Sequence, residues 1–134
     1  MALSLTELID NFSCLSDWED KYRYLLELGT KMPPMSAEEH TPENKVSGCM
    51  SQVWMSAHKM NNRYFFTFDS DAHIVKGLES ILWNLVDGKT ADEIRTLPLK
   101  EIFTKLDLEE NISPNRRNGF RSMIDRIYKT INLQ

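Results

Sequence analysis

The period of the hydrophobic pattern changes in the middle of this chain, and that change limits the fold more than any other feature. From Gln52 to Met60 the residues alternate, with Val53, Met55 and Ala57 sharing one face. Side chains along a strand point to opposite faces in turn, so a period of two reads as a half-buried strand. Asn61-Asn62 follows, and asparagine tolerates the positive φ that a two-residue hairpin turn requires. Arg63 to Asp69 returns with Tyr64, Phe66 and Phe68 on one face. These segments predict a β-hairpin, with Asn44 to Ser47 as a candidate third strand.

Helical signals surround the hairpin. Ser4-Leu5-Thr6-Glu7 has the form of a capping box, and Leu5, Leu8, Ile9 and Phe12 then mark one face of a short helix. Ser16-Asp17-Trp18-Glu19 repeats the device and opens a second helix with Trp18, Tyr22, Leu25 and Leu26 inward, which Pro33-Pro34 prevent from continuing. Met35 to Glu43 is a polar, acidic connection. Beyond the hairpin, Asp71 is positioned to cap a helix with Ile74, Val75, Leu78, Ile81, Leu82 and Leu85 inward, ending at Gly88. Thr90-Ala91-Asp92-Glu93 starts another short helix before Pro98, and Leu99 to Leu106 forms one more. Ser113-Pro114 is a cap followed by proline at the first helical position, opening a last helix that buries Phe120, Met123, Ile124, Ile127 and Ile131. Antiparallel strands with helices gathered on one side define an α+β sandwich. The 134 residues carry no internal repeat or domain-splitting linker, so 1–134 is expected to be a single domain.

A formal charge of −4 argues against a phosphate-backbone binder, so nucleic acid is not an expected partner. No apolar run approaches the roughly 18–20 residues that span a bilayer, and the N-terminus lacks the pattern of a signal peptide. Two cysteines, Cys14 and Cys49, are too few for a disulfide scaffold. The expected setting is the cytoplasm, with reduced thiols and no membrane.

Free cysteine is most often a small buried hydrophobe. Cys14, between two predicted helices, fits that description. Cys49 does not, because Gly48 permits a sharp backbone turn before it, Ser51 and Gln52 after it are polar, and a strand begins just beyond. That context presents a sulfur at a bend. A nucleophilic thiol needs its thiolate form and access to the sulfur it attacks, so a cation nearby and an apolar hollow beneath would suit it.

On a wheel of about 100° per residue, Arg116 shares the side of Phe120, Ile127 and Ile131, Arg117 and Arg121 lie on its flank, and Arg126 and Lys129 lie opposite. An arginine in a helix's first turn opposes the macrodipole, so helix stability does not account for Arg116. It either pairs with a nearby acid or serves as a cation that orients the loop, steadies a thiolate or grips a partner. Asp69-Ser70-Asp71 closes the hairpin; one aspartate reads as a helix cap, leaving the other to bond a neighbouring loop or face a partner. The three histidines show no zinc-site spacing with the cysteines, so no metal is assigned.

Four blocks, in order, resemble the SufE family of sulfur-acceptor proteins. They are Trp18-Glu19-Asp20-Lys21-Tyr22 with Glu27-Leu28-Gly29; Asn44-Lys45-Val46-Ser47-Gly48-Cys49-Met50-Ser51-Gln52-Val53-Trp54; Asp69-Ser70-Asp71-Ala72-His73-Ile74-Val75-Lys76-Gly77-Leu78; and Ser113-Pro114-Asn115-Arg116-Arg117-Asn118-Gly119-Phe120. With their spacers they span nearly the whole chain. The resemblance implies a SufE/IscU-like sandwich and a sulfurtransferase-like carrier that is accessory to a cysteine desulfurase of the SufS type. Cys49 matches the family's sulfur-accepting cysteine, Asp71 and Arg116 match acidic and basic positions around the loop or the desulfurase contact, and Gln52 and Asn118 match polar positions near them. Met50 stands where glutamine is more usual.

The implied chemistry is transpersulfidation: a transient persulfide on Cys49, stimulation of the desulfurase, and delivery of sulfur to a downstream iron–sulfur scaffold. The chain is expected to hold no cofactor of its own, since pyridoxal phosphate belongs to the partner enzyme. It is expected to act as a monomer or homodimer. The alternatives are a non-catalytic adaptor that activates a desulfurase by docking, a metal or cluster scaffold of the same fold, and a thiol redox sensor.

Overall fold

The computed structural model describes residues 2–48 and 51–132. Helices α1 (Leu5–Ser13) and α2 (Trp18–Lys31) lead into an irregular arm with short 3-10 turns at Ala37–Glu39 and Pro42–Asn44. Strands β1 (Val53–Met60) and β2 (Arg63–Ser70) follow, then α3 (His73–Val86), α4 (Ala91–Thr96), a 3-10 turn at Leu99–Glu101, α5 (Ile102–Lys105) and α6 (Pro114–Asn132).

The hairpin forms as its sequence predicts. Val53 stands opposite Ser70 and Met60 opposite Arg63 in an antiparallel register. Asn61 and Asn62 have φ of 54° and 67°, the pair of positive values that matches a tight turn to the twist of the strands. Val53 and Met55 of β1 and Tyr64, Phe66 and Phe68 of β2 are buried, whereas Ala57 is exposed near the hairpin tip. Lys45 makes a single bridge to Trp54 instead of a third strand, because the 3-10 turn ending at Asn44 leaves too little extended chain.

Helix α3 packs against β2 and α2, with α6 also against it. The fold is thus α+β. Each fully buried Leu, Ile or Phe contributes roughly 1.5–3 kcal/mol before entropy is counted, and the central helix supplies Ile74, Leu78, Ile81, Leu82 and Leu85 to that core. Its approach to α2 is backbone on backbone. A Cβ added at Gly77 would lie 2.3 Å from the Leu25 carbonyl oxygen, and one at Gly29 would lie 3.0 Å from the Gly77 nitrogen.

Several local expectations are corrected. Asp17, not Ser16, caps α2, accepting the Asp20 N–H at 2.9 Å. The buried face of α2 runs through Lys21, Leu25, Leu28 and Gly29, leaving Tyr22 37% exposed, edge-on to Trp18. That face is the one whose Leu25 and Gly29 meet α3 at Gly77, and beside it the buried Lys21 ammonium donates to the Asp107 carbonyl at 3.0 Å and meets its carboxylate at 3.2 Å. A charge can enter such an interface only with partners of this kind. Cys14 is exposed, at the C-cap of α1, rather than a core filler. The N-cap of α3 is Ala72, whose N–H is bonded by Ser70 Oγ at 3.2 Å, so neither Asp69 nor Asp71 caps that helix. The three capping boxes or caps at Ser4, Thr90 and Ser113 stand as expected.

Among the described residues no helix is long and apolar enough to cross a membrane.

Candidate functional site

Cys49 lies outside the described residues, so the site is built from the chain that enters and leaves that position. On the entering side, Val46 donates its N–H to the Val53 carbonyl at 2.8 Å, tying the arm to the root of β1. The Arg126 guanidinium reaches from α6 to the carbonyls of Lys45 (3.3 Å) and Glu43. Gly48 has φ of 86°, a left-handed conformation that glycine adopts without steric cost. A side chain there would also press on Ser122 Oγ of α6, 2.9 Å from the position of a Cβ.

On the leaving side, Gln52 and Asp71 form a two-bond clasp. The Gln52 N–H donates to Asp71 Oδ1 at 3.1 Å, and the Asp71 N–H donates to the Gln52 carbonyl at 3.2 Å. Asp71 therefore bonds the neighbouring loop, one of the two roles open to it from sequence.

A cavity of ≈ 340 Å³ adjoins Ser51. Val53, Val75, Leu78, Phe120 and Met123 give it apolar walls, and Ser113, Asn115 and Arg116 stand at its polar side. Arg116 is its single charged wall residue among the described residues. Its side chain is exposed and makes no ion pair among the described residues, so the alternative of a structural salt bridge is not realised there. Its backbone N–H is bonded by Ser113 Oγ at 3.3 Å, which fixes the start of α6 and hence the root of that side chain.

The structure thus brings Ser51 and Arg116 to one cavity, pairs Gln52 with Asp71, and sets Gly48 against Ser122. Asn118 is exposed, one turn from Ser122, and its carbonyl accepts the Ser122 hydroxyl at 3.1 Å. The residues that sequence reasoning missed are Arg126, Ser122 and His40, while Asp69, left open there to bond a neighbouring loop, takes that role toward His40. The helical wheel reading of Arg126 as lying opposite the apolar stripe is corrected: Arg126 lies on the flank of that stripe, half-buried where its guanidinium meets the arm, whereas Asp125 and Lys129 on the far side are exposed. His40 Nε2 lies 2.5 Å from Asp69 Oδ2, and Asp69 Oδ1 lies 3.5 Å from Lys76 Nζ. Burial works to raise the Asp69 carboxyl, yet the His40 bond, the Ser70 N–H and Lys76 together hold it below the usual carboxylate value. The Asp69 hydrogen bond in turn raises His40 above its ordinary value.

Chemically, the cavity combines an apolar wall with a polar side of two serines, an asparagine and the Arg116 guanidinium, and Ser51 is part of its lining.

The sequence profile of the family described as "SufE: Fe-S metabolism associated domain" matches residues 6–131. An uncharacterized SufE-like protein of Rhizobium etli is 51% identical over 128 residues, covering 92% of this chain and 86% of that protein. A second uncharacterized SufE-like protein, from Rhizobium meliloti, is 46% identical over 92% of this chain and 91% of its own length. The solution structure of a hypothetical protein from Thermus thermophilus superposes with a TM-score of 0.79 at 21% identity, covering 96% of this chain and 93% of that one, and so shares the fold. The chain belongs to the SufE family, which places it in iron–sulfur metabolism.

Proposed function

We propose that this protein accepts sulfur on Cys49 from a cysteine desulfurase and carries it toward iron–sulfur cluster assembly in the cytoplasm. The observation that carries this reading is the cavity beside Ser51, which has an apolar wall and Arg116 as its charged wall residue. The Cys49 thiolate attacks the terminal sulfur of the donor's persulfide. A Cys49–sulfur bond forms, the donor's sulfur–sulfur bond breaks, and the donor thiolate leaves, so no electron acceptor is needed. Arg116 favours the attacking thiolate and the anionic persulfide that follows. The apolar walls shelter that persulfide from water and stray thiols. Clearing the donor's cysteine lets the desulfurase turn over again, so this chain stimulates its partner. Pyridoxal phosphate remains with the desulfurase, and the carrier holds no cofactor of its own.

Intact mass of wild type and Cys49→Ser after incubation with a cysteine desulfurase, pyridoxal phosphate and cysteine tests the reading. The expected result is one reducible sulfur gained by wild type and none by Cys49→Ser. No gain in either, with desulfurase stimulation intact in both, would replace the carrier by a docking adaptor.

A further inference from the structure

The chain reaches the Cys49 segment along residues 36–46, and this arm is held mainly by individual polar bonds. Between its buried ends, Met35 and Val46, no residue is fully buried. Glu39 Oε2 accepts the Ser56 hydroxyl at 2.5 Å, Asn44 Nδ2 donates to the Glu39 carbonyl at 2.8 Å, and Arg126 holds the carbonyls of Glu43 and Lys45.

His40 stands at the centre of these bonds. Its Nδ1 lies 2.7 Å from the Ser36 carbonyl, its Nε2 lies 2.5 Å from Asp69 Oδ2, and its ring meets Trp54 edge-on with centroids 4.7 Å apart. Both oxygens can only accept. A neutral imidazole has one N–H and satisfies one of them; an imidazolium satisfies both. The charged groups around the pair are Glu39 on the arm and Lys76 and Glu79 on α3. Glu79 is fully buried, and burial followed by the Asp69 charge pushes it up to about 9, so it adds no charge near neutral pH. His40 is the group of this cluster that changes charge between mildly acidic and mildly basic conditions. Asp69 and Asp71 thus hold the two sides of the Cys49 segment from the same end of β2, one through an ionisable partner and one through a backbone amide.

We propose that the His40–Asp69 pair positions the arm leading into Cys49, holding it while His40 is an imidazolium and loosening it on deprotonation, so that Cys49 reacts faster with electrophiles when the arm is loosened. This rests on the reading of Cys49 as the reactive thiol.

The test measures amide hydrogen-exchange protection factors of residues 41–46 in the full chain across the pH range, together with alkylation of Cys49 by iodoacetamide, corrected for thiolate fraction, in a Cys14→Ser background. Loss of one charge-assisted hydrogen bond predicts that wild-type protection falls about tenfold from acidic to basic pH. His40→Gln keeps a donor toward Asp69 but has no proton to lose, so its protection is lower at acidic pH and flat across the range. Asp69→Asn loses protection at acidic pH, and both variants alkylate about threefold faster there than wild type, a modest share of one such bond. Protection in wild type that does not change with pH, the same pH profile in His40→Gln as in wild type, or alkylation unchanged in both variants would overturn the proposal. Neither readout needs a sulfur donor, so failure of Cys49 to load sulfur bears on the proposed function and leaves this result standing.

Discussion

The α2–α3 contact and the arm before Cys49 hold their places by opposite means. Between α2 and α3, Gly77 lets a helix backbone rest on the Leu25 carbonyl, with Leu25, Leu28, Leu78 and Ile81 filling the space around it. Such an interface is close-packed and has no partly open state, because every atom displaced loses several neighbours at once. The arm has no comparable apolar floor between Met35 and Val46; it is held by His40, Glu39, Asn44 and Arg126, one bond at a time. Each such bond has a net worth of about 1 kcal/mol, so the arm can loosen without unfolding the domain. A rigid body beside a releasable segment is the division that a carrier needs if its reactive residue must meet a second protein.

Glu79 tests the boundary between the two regions, and its expected effect is the largest. Its carboxyl is fully buried with no hydrogen-bond partner among the described residues, and its pKa is pushed up to about 9. The folded state therefore retains a proton that the unfolded chain loses at ordinary carboxylate pH. Its stabilising contribution is complete below the unfolded value and is lost as pH rises toward 9. At about 1.4 kcal/mol per pH unit, wild type is expected to lose about 3–4 kcal/mol more than Glu79→Gln between roughly pH 5 and pH 8. Urea unfolding of both proteins across that range measures the difference, and parallel curves would remove Glu79 from the account.

Gly77→Ala comes next and attacks the rigid side. The new methyl meets backbone, which cannot swing aside, so a loss of about 2–3 kcal/mol is expected in spite of the better helix propensity of alanine. A chemical denaturation midpoint reports it; no change would mean that the helices separate more easily than their contact implies.

Gly48→Ala sharpens the comparison from the other side, with the smallest effect on stability. The left-handed φ costs alanine about 1 kcal/mol, and the clash with Ser122 Oγ is with the end of a small side chain that can rotate. Its larger consequence is expected at Cys49, as a change in alkylation rate out of proportion to the shift in unfolding midpoint. A midpoint shift as large as that of Gly77→Ala would show the segment to be part of the packed body.

Much of the fold is legible in the sequence because it is set locally. The alternation around Asn61-Asn62, the caps at Ser4 and Thr90, Pro114 after Ser113 and the stripe Phe120, Met123, Ile124, Ile127 and Ile131 all act within a few residues of themselves. Tyr22 escapes such a reading because the rotation of α2 follows from Leu25 and Gly29 packing on Gly77 of α3, with Lys21 meeting Asp107, 86 residues away; these are contacts between segments far apart in the chain. Part of the candidate site is legible too, since Gly48, Ser51, Gln52, Asp71 and Arg116 stand out by residue type and context. Ser122 and Arg126 do not stand out, because a serine or arginine on the polar side of a helix looks like solvent-facing surface until another segment covers it.

From sequence alone the chain determined its element types, its α+β class, the apolar faces of its hairpin and last helix, and the residues flanking Cys49, because strand period, turn chemistry and helix caps are short-range effects. Only the tertiary structure decided that Asp71 clasps Gln52 instead of capping a helix, that His40 faces two acceptors, and that Arg116 and Ser51 line one cavity. Those outcomes depend on hydrogen bonds and packing between segments far apart in the chain, whose geometry exists only after the core has closed.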